Sequence, residues 1–292
     1  MSAVERSLST VVDDEPLPAS ASAPAVRLRH VRPSPRGFAR RKIHVPSLLW
    51  ALVRTDFKLR YHGTVGGFAW ALLRPLSMFI ILQAVFSLIF TTQPTYRFNL
   101  LIGLFVWDFF VEGSKAGLAA LVQKGHLLTK ARVPTWLLVV ASSSNALITL
   151  AAFVVMIVSA LIIAGRPVSP THVLLFVSYL LELWLIIVGF SLATSALFAR
   201  YRDLNQLWDL ILQAGFFAAP IIYPLTILPE SVHFYLYCWP PTPVIQFSRS
   251  VLVDGVVPTA TAHGLLGLEA VLCVALGAAI FRRYSRGVPE HL

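Results

Sequence analysis

Residues Ala199–Pro229 read ARYRDLNQLWDLILQAGFFAAPIIYPLTILP, and the way this stretch is read decides the fold. It opens with Arg200, Arg202 and Asp203, charges that are costly inside hydrocarbon. It then turns apolar and aromatic, and Pro220, Pro224 and Pro229 break its far end. A proline inside a helix removes a backbone hydrogen bond and clashes with the preceding turn. Lipid offers nothing to the freed backbone groups, whereas protein packing or a water-lined cavity does. The stretch therefore reads as a helix that leaves one membrane face and ends in a buried, broken segment near the other. An ordinary spanning helix followed by a proline-rich loop is the simpler alternative.

The rest of the chain has the same character. Hydrophobic residues make up 57% and charged residues 13% of the 292 positions, and the mean hydropathy is +0.72. Soluble domains carry about 25% charged residues, so the solvent of this chain is mostly lipid. The apolar runs are ~20 residues long and do not alternate, which excludes an outer-membrane barrel. A net charge of +10 points to nucleic acid in a soluble protein. Here the basic residues sit between apolar runs, where they report topology and anionic headgroups, and no nucleic-acid partner is expected. Cys238 and Cys273 are isolated, with no metal or redox spacing. The first thirty residues lack the apolar core of a signal peptide.

Residues 1–43 are rich in Ala, Ser and Pro and read as a disordered cytosolic tail, with Arg40, Arg41 and Lys42 near anionic lipid heads. Val45–Tyr61 is too charged to span. Trp50, Val53, Phe57 and Tyr61 share one helical face and Arg54, Thr55 and Lys58 another, which predicts an interfacial helix lying on the cytosolic leaflet. A soluble helix packed on a partner is the alternative. Gly63–Gly67 makes a turn, and six spans are expected at Phe68–Phe90, Leu100–Ala120, Thr135–Ile163, His172–Phe198, Leu204–Ala219 and Gly264–Phe281. The irregular segment Pro220–His263 is too proline-rich to span and too apolar for a free loop, so re-entrant helices are expected there. Residues 287–292 form a short tail.

Orientation follows from the loops. The N-terminal tail, Lys124/Lys130/Arg132, Arg200/Arg202 and Arg282/Arg283/Arg286 fall on one side, against Arg97, Arg166 and Arg249 on the other. The positive-inside rule then makes both termini cytoplasmic. The expected fold is an all-α integral membrane protein without an evident internal repeat.

Little in the chain suggests enzymatic chemistry. There is no Gly-rich phosphate loop with a lysine, no His/Glu metal spacing and no nucleophile elbow. Asp108, Glu112, Glu182 and Glu269 lie in or near spans, where charges are functional candidates. Asp108 and Glu112 share a face and Lys115 follows Glu112 by three residues, so a local Glu112–Lys115 pair competes with a polar strip along a water-filled path or a proton relay. Asp209 is expected to be a plain interfacial residue. Phe79, Phe86, Trp107, Phe110, Trp208, Phe216 and Tyr223 are either packing residues or the lining of a conduit on which sugar rings stack.

Together these segments resemble the permease subunit of type-2 ATP-binding-cassette (ABC-2) exporters, in the branch that exports O-antigen, teichoic acid or cell-wall galactan. The likeness covers Val45–Arg286. It rests on Tyr61, Gly63, Gly67, Trp70 and Pro75 at the first span, with Gly66 in place of a usual leucine. Gly103-Leu104, Trp107 and Phe110 carry it in the second span. Lys130–Pro134 falls where the family has its coupling helix, without the acidic residue that often follows the proline. Arg200, Arg202-Asp203, Pro220, Tyr223-Pro224 and Leu228-Pro229 match in the opening stretch, and Arg249 and Gly255 follow at the expected distance. Trp239-Pro240-Pro241-Thr242 stands in place of an Asn-Pro element, so Pro240 is a departure.

The resemblance implies a transmembrane domain over residues 44–286 that forms a homodimer in the bacterial inner or plasma membrane. It implies two copies of a separate cassette ATPase that hold ATP and Mg²⁺, with no cofactor or metal on this chain. The cargo would be a polyprenyl-diphosphate-linked glycan moved outward through a conduit between protomers. Residues 121–134, with Lys124, Leu127, Leu128, Lys130, Arg132 and Pro134, are assigned to coupling, and Val45–Tyr61 to ATPase and membrane contact. Arg60, Arg74, Arg200 and Arg202 are assigned to the diphosphate, since a guanidinium fork fits phosphate oxygens; topological anchoring is their other role. Trp107, Asp108, Phe110, Glu112 and the other aromatics named above line the path. Pro220, Pro224, Pro229, Pro240 and Pro241 shape gate helices over residues 220–255. An ABC-2 exporter of a drug or small lipid is the second reading, and a membrane enzyme acting on polyprenyl-linked sugars the third.

Overall fold

A computed structural model of the chain describes residues 44–63, 65–89, 94–125 and 133–285. All regular structure among the described residues is helical. The two tails and the Leu127, Leu128, Lys130 and Arg132 assignments lie outside the described residues.

Helix α1 (Val45–Tyr61) starts with a proline in its first turn, where the missing N–H has no intrahelical partner to lose. A turn with Gly63 and Gly67 at φ 78° and 47° leads to α2 (Ala69–Phe86). Gly66 is a fit as well as a departure, because a Cβ there would run into the Trp70 indole. Helix α3 (Tyr96–Gln123) has 28 residues and is about 42 Å long at 1.5 Å per residue. Pro134 then precedes α4 (Thr135–Ser144), which breaks at Asn145 before α5 (Ala146–Ile163). Helix α6 (Pro170–Phe198) runs back, and the Arg200–Asp203 turn leads into α7 (Leu204–Ala218).

The opening stretch ends as the prolines dictate. Helix α7 stops at Ala218, and a 3₁₀ turn (Leu225–Ile227), α8 (Glu230–Tyr237) and α9 (Pro241–Arg249) follow. Pro224, Pro229 and Pro240 each sit at the N-cap of the next short helix and Pro241 at the first position of α9. Proline is tolerated there because its fixed φ suits a helix start. A π-turn over Ser250–Asp254 ends at Gly255 in the left-handed region, φ 69°. Thr259 accepts a bond from the Ala262 N–H and opens α10 (Ala260–Tyr284).

Helices α3 and α6 form the centre, with α10 along α6, α4 and α5 along α3, and α9 against both. Where neighbours are as apolar as lipid, helices associate through close packing of small residues. Gly117 of α3 meets Ser143 and Ser191, whose hydroxyls bond at 3.1 Å. Gly277 of α10 lies against the Gly189 carbonyl of α6. Phe105 and Phe153 fill the centre of α3 and α5, stacked with ring centroids 4.4 Å apart.

Among the described residues, four helical stretches are long and apolar enough to cross a membrane: Ala69–Phe86, Thr135–Ile163, Pro170–Phe198 and Ala260–Tyr284. The other two expected spans differ from them. Helix α3 has the length but carries Asp108, Glu112 and Lys115 in its middle turns. Helix α7 has 15 residues, about 23 Å, against a hydrocarbon core of about 30 Å. The Pro220–His263 segment, where helices were expected in place of a span or a free loop, consists mostly of short helices that use the prolines as starts.

Candidate functional site

Helix α1 presents Asp56 and Arg60, four residues apart and so on one face, to the second half of α3. Arg60 pairs with Glu112, and Lys124, the C-cap of α3, pairs with Asp56. The Lys124 ammonium also donates to the Ser142 hydroxyl at 2.6 Å, and the Asn145 side-chain amide donates to Asp56 at 3.2 Å. Lys115 reaches Asp209 on α7 at 2.7 Å. The polar strip of α3 is thus tied to two neighbouring helices. The expectation of a local Glu112–Lys115 pair is corrected: each takes an opposite charge on another helix, and Asp209 is a partner and not a bystander.

These pairs differ in worth. Lys115 and Asp209 are 44% and 45% exposed, and such pairs contribute about 0–1 kcal/mol. Lys124 and Asp56 are 14% and 17% exposed, so removing either leaves a shielded charge without its partner, which costs about 3–5 kcal/mol when burial is complete.

Between the pairs lies a cavity of about 440 Å³, lined among others by Arg60, Glu112, Lys115, Lys124, Ser142 and Asn145. A second, of about 370 Å³, shares Arg60, Glu112 and Lys115 and adds Tyr61, Trp70, Arg74 and Asp108. The structure therefore brings Arg60 and Arg74 together. Arg200 and Arg202 are exposed on the turn before α7, their guanidinium carbons 5.6 Å and 5.8 Å from the ring centroids of Tyr201 and Phe198.

The aromatic candidates divide in the same manner. Trp107, Phe110 and Trp208 form a buried cluster with Trp239, with Phe216 against Trp107 at 5.9 Å. The Trp208 indole donates to the Ser114 hydroxyl at 3.1 Å. Phe79 and Phe86 on α2 are half-buried against the main core. The Tyr223 hydroxyl donates to the carbonyls of Phe217 and Ala218 at 3.2 and 3.0 Å, capping α7. Pro134 is the N-cap of α4.

At the other end of α3, the backbone freed by Pro220 finds its partners. Arg249 donates to the carbonyls of Asn99, Pro220 and Ile221 at 2.9, 2.7 and 2.8 Å, and the Tyr96 hydroxyl donates to Ile222 at 2.9 Å. Arg249 is 6% exposed. A cavity of about 140 Å³ lies beside it, lined by Tyr96, Asn99, Tyr223, Gln246 and Asp254 among others. The sequence showed Arg249 as a topological charge and as part of the family likeness, with no partner assigned to it. The available signal was one arginine in a long stretch otherwise nearly free of charge. Asp56 and Asn145 were missed because their partners are far away in sequence.

Residues 47–253 match the family described as ABC-2 type transporter. The chain is 28% identical over 238 residues to the O-antigen export system permease protein RfbA of Myxococcus xanthus, covering 80% of this chain and 89% of that protein. It is 23% identical over 253 residues to the protein of the same description from Klebsiella pneumoniae, covering 84% and 95%. It is also 23% identical over 250 residues to the polysialic acid transport protein KpsM of Escherichia coli, covering 84% and 95%. The family match begins in α1 and runs through the charged cleft and the Arg249 clamp, more than half of the sequence, and the chain belongs to the ABC-2 type transporter family.

Proposed function

We propose that this chain is the membrane permease of an ATP-driven exporter that moves a polyprenyl-diphosphate-linked polysaccharide from the cytosol to the outer side of the membrane. Two copies form the conduit, each with six spans and cytoplasmic termini, and two copies of a separate cassette ATPase drive it. The observation that carries this reading is likeness along most of the chain to permeases named for two different polysaccharides, O-antigen and polysialic acid. Both names concern a glycan, and a glycan is therefore the substrate class proposed for this chain.

The geometry supports the reading at three places. Arg60, Arg74 and Lys115 are among the residues that line two cavities with Arg60, Glu112 and Lys115 in common, and an anionic headgroup entering there would compete with Glu112 and Asp209 for Arg60 and Lys115. The Trp107–Phe110–Trp208–Trp239 cluster supplies aromatic faces for sugar rings once it parts. The short helices over residues 220–255 form the gate on the far side, held by Arg249. Arg200 and Arg202, beside the same membrane face, concentrate the anion near the entrance.

A depletion experiment tests the proposal in cells. Loss of the permease leads to lipid-linked glycan accumulating on the cytosolic side, and a cassette ATPase co-purifies with the tagged permease. A depleted strain with normal surface glycan contradicts the polysaccharide reading, and drug sensitivity in its place supports a small-molecule exporter.

A further inference from the structure

One carboxylate joins three parts of the fold. Asp56 on α1 accepts from Lys124, which closes α3, and from Asn145, which marks the break between α4 and α5. Lys124 is bonded in turn to Ser142 of α4. Residues 126–132 join α3 to α4, so the helices on both sides of that connection are fixed to α1 at a single point. The point is shielded, with both charged side chains less than one fifth exposed.

One turn further along α1, Arg60 makes the second link, to Glu112. The two anchors are four residues apart on α1 and twelve apart on α3, where they stand about 18 Å from each other along the axis. Between them α3 carries Ala116 and Ala119, small residues that leave the 440 Å³ cavity open. Helix α1 therefore lies over the cavity on two struts. Were the α3–α4 end displaced, the motion would reach Arg60 at the cavity wall through Asp56 and α1 as well as along α3 itself.

We infer that Asp56 is a positioning residue that makes α1 and the ends of α3 and α4 move as one body, so that force from the ATPase reaches the charged cleft. This rests on the reading of the chain as an ATP-driven permease. An ion pair suits such a link because it holds distance without a covalent bond and resists separation where water is scarce. Asn145 adds a provision, since its side-chain oxygen is buried and has no hydrogen-bond partner. Turning the amide over presents an acceptor to Asp56's position, so the site accommodates a cation there as well.

The test uses the full permease with its ATPase in proteoliposomes and reads glycan transported per ATP hydrolysed. Asp56→Asn is expected to leave ATP hydrolysis near the wild-type rate and to lower transport per ATP about tenfold. The swapped pair, Asp56→Lys with Lys124→Asp, is expected to restore the ratio, and Lys124→Asp alone is not. Thermal unfolding of each variant in detergent reports assembly separately. An unchanged ratio in Asp56→Asn overturns the inference while the transport reading stands. Absence of transport in the wild type removes the reading beneath it. Loss of assembly in both the single variant and the swapped pair also overturns it, because the pair would then be a folding element.

Discussion

Arg249 places a full positive charge, almost wholly out of solvent, against three backbone carbonyls. Two of them, Pro220 and Ile221, follow the C-terminus of α7, where the helix dipole is negative, so the cation is matched by oriented carbonyl groups. Lysine keeps the charge but lacks the fork that spans separate acceptors. Arg249→Lys is expected to lower stability by about 1–3 kcal/mol and Arg249→Ala by more, read from thermal unfolding in detergent. An unchanged midpoint for Arg249→Ala contradicts the clamp. Gly103 gives an independent check, because a Cβ there would lie 2.7 Å from an Arg249 terminal nitrogen and 3.3 Å from an Ile221 methyl. Gly103→Ala is therefore expected to cost about 1–3 kcal/mol through the same contact. Gly267→Ala, whose Cβ meets open space on α10, is the control and is expected to be neutral or slightly stabilising.

At the scale of elements, the crossing of α6 and α10 depends on Gly189 and Gly277. A Cβ on Gly277 would overlap the Gly189 carbonyl, which is backbone and has nowhere to retreat. Gly277→Leu is expected to force the last helix away from α6, abolishing a disulfide crosslink engineered between neighbouring positions of the two helices. Persistence of that crosslink at the wild-type level contradicts the close crossing. Neither glycine stood out in the sequence, because a small residue in an apolar run looks alike whether it faces lipid or a neighbouring backbone. Helix α1 was more legible. Its aromatic face is real, with Phe57 and Tyr61 packed at 4.9 Å and both against Phe68, although Trp50 is exposed. The ion pairs on its inward side were hidden: Arg60 was assigned to the diphosphate and Asp56 to nothing, since charges on a moderately amphipathic helix read as solvated or free for a ligand until their partners are known. The broken end of α7 followed from Pro220 and Pro224, but which group would satisfy the freed carbonyls depended on a contact 29 residues away.

For the whole molecule, composition and run length were enough to specify an all-helical membrane protein, because lipid permits few other solutions. The number of crossings was less legible. Length and apolarity mark four stretches among the described residues, and α3 and α7 fall short for opposite reasons, one through charge and the other through length. Both deviations coincide with the site: the charges of α3 line the cleft, and the short α7 ends in the clamp. Residues that break the simplest rule for a span are those the proposed function uses. The topology makes a prediction at this scale. Cysteines placed at Arg202 and Arg283, both exposed, are expected to react with a membrane-impermeant thiol reagent from the cytosolic side alone, and one at Val256 from the outside alone. Labelling of the Val256 and Arg202 positions from the same side contradicts it.

The central claim is outward, ATP-driven movement of a lipid-linked glycan through this permease. It is tested most directly in sealed vesicles that contain the permease, its cassette ATPase and a polyprenyl-diphosphate-linked glycan, oriented with the cytosolic face outward. The predicted result is ATP-dependent loss of the glycan from a glycosidase acting on the outer surface, abolished when the ATPase cannot hydrolyse ATP and when the permease is omitted. Glycan that stays accessible with ATP in the complete system, or becomes protected without the permease, would contradict it.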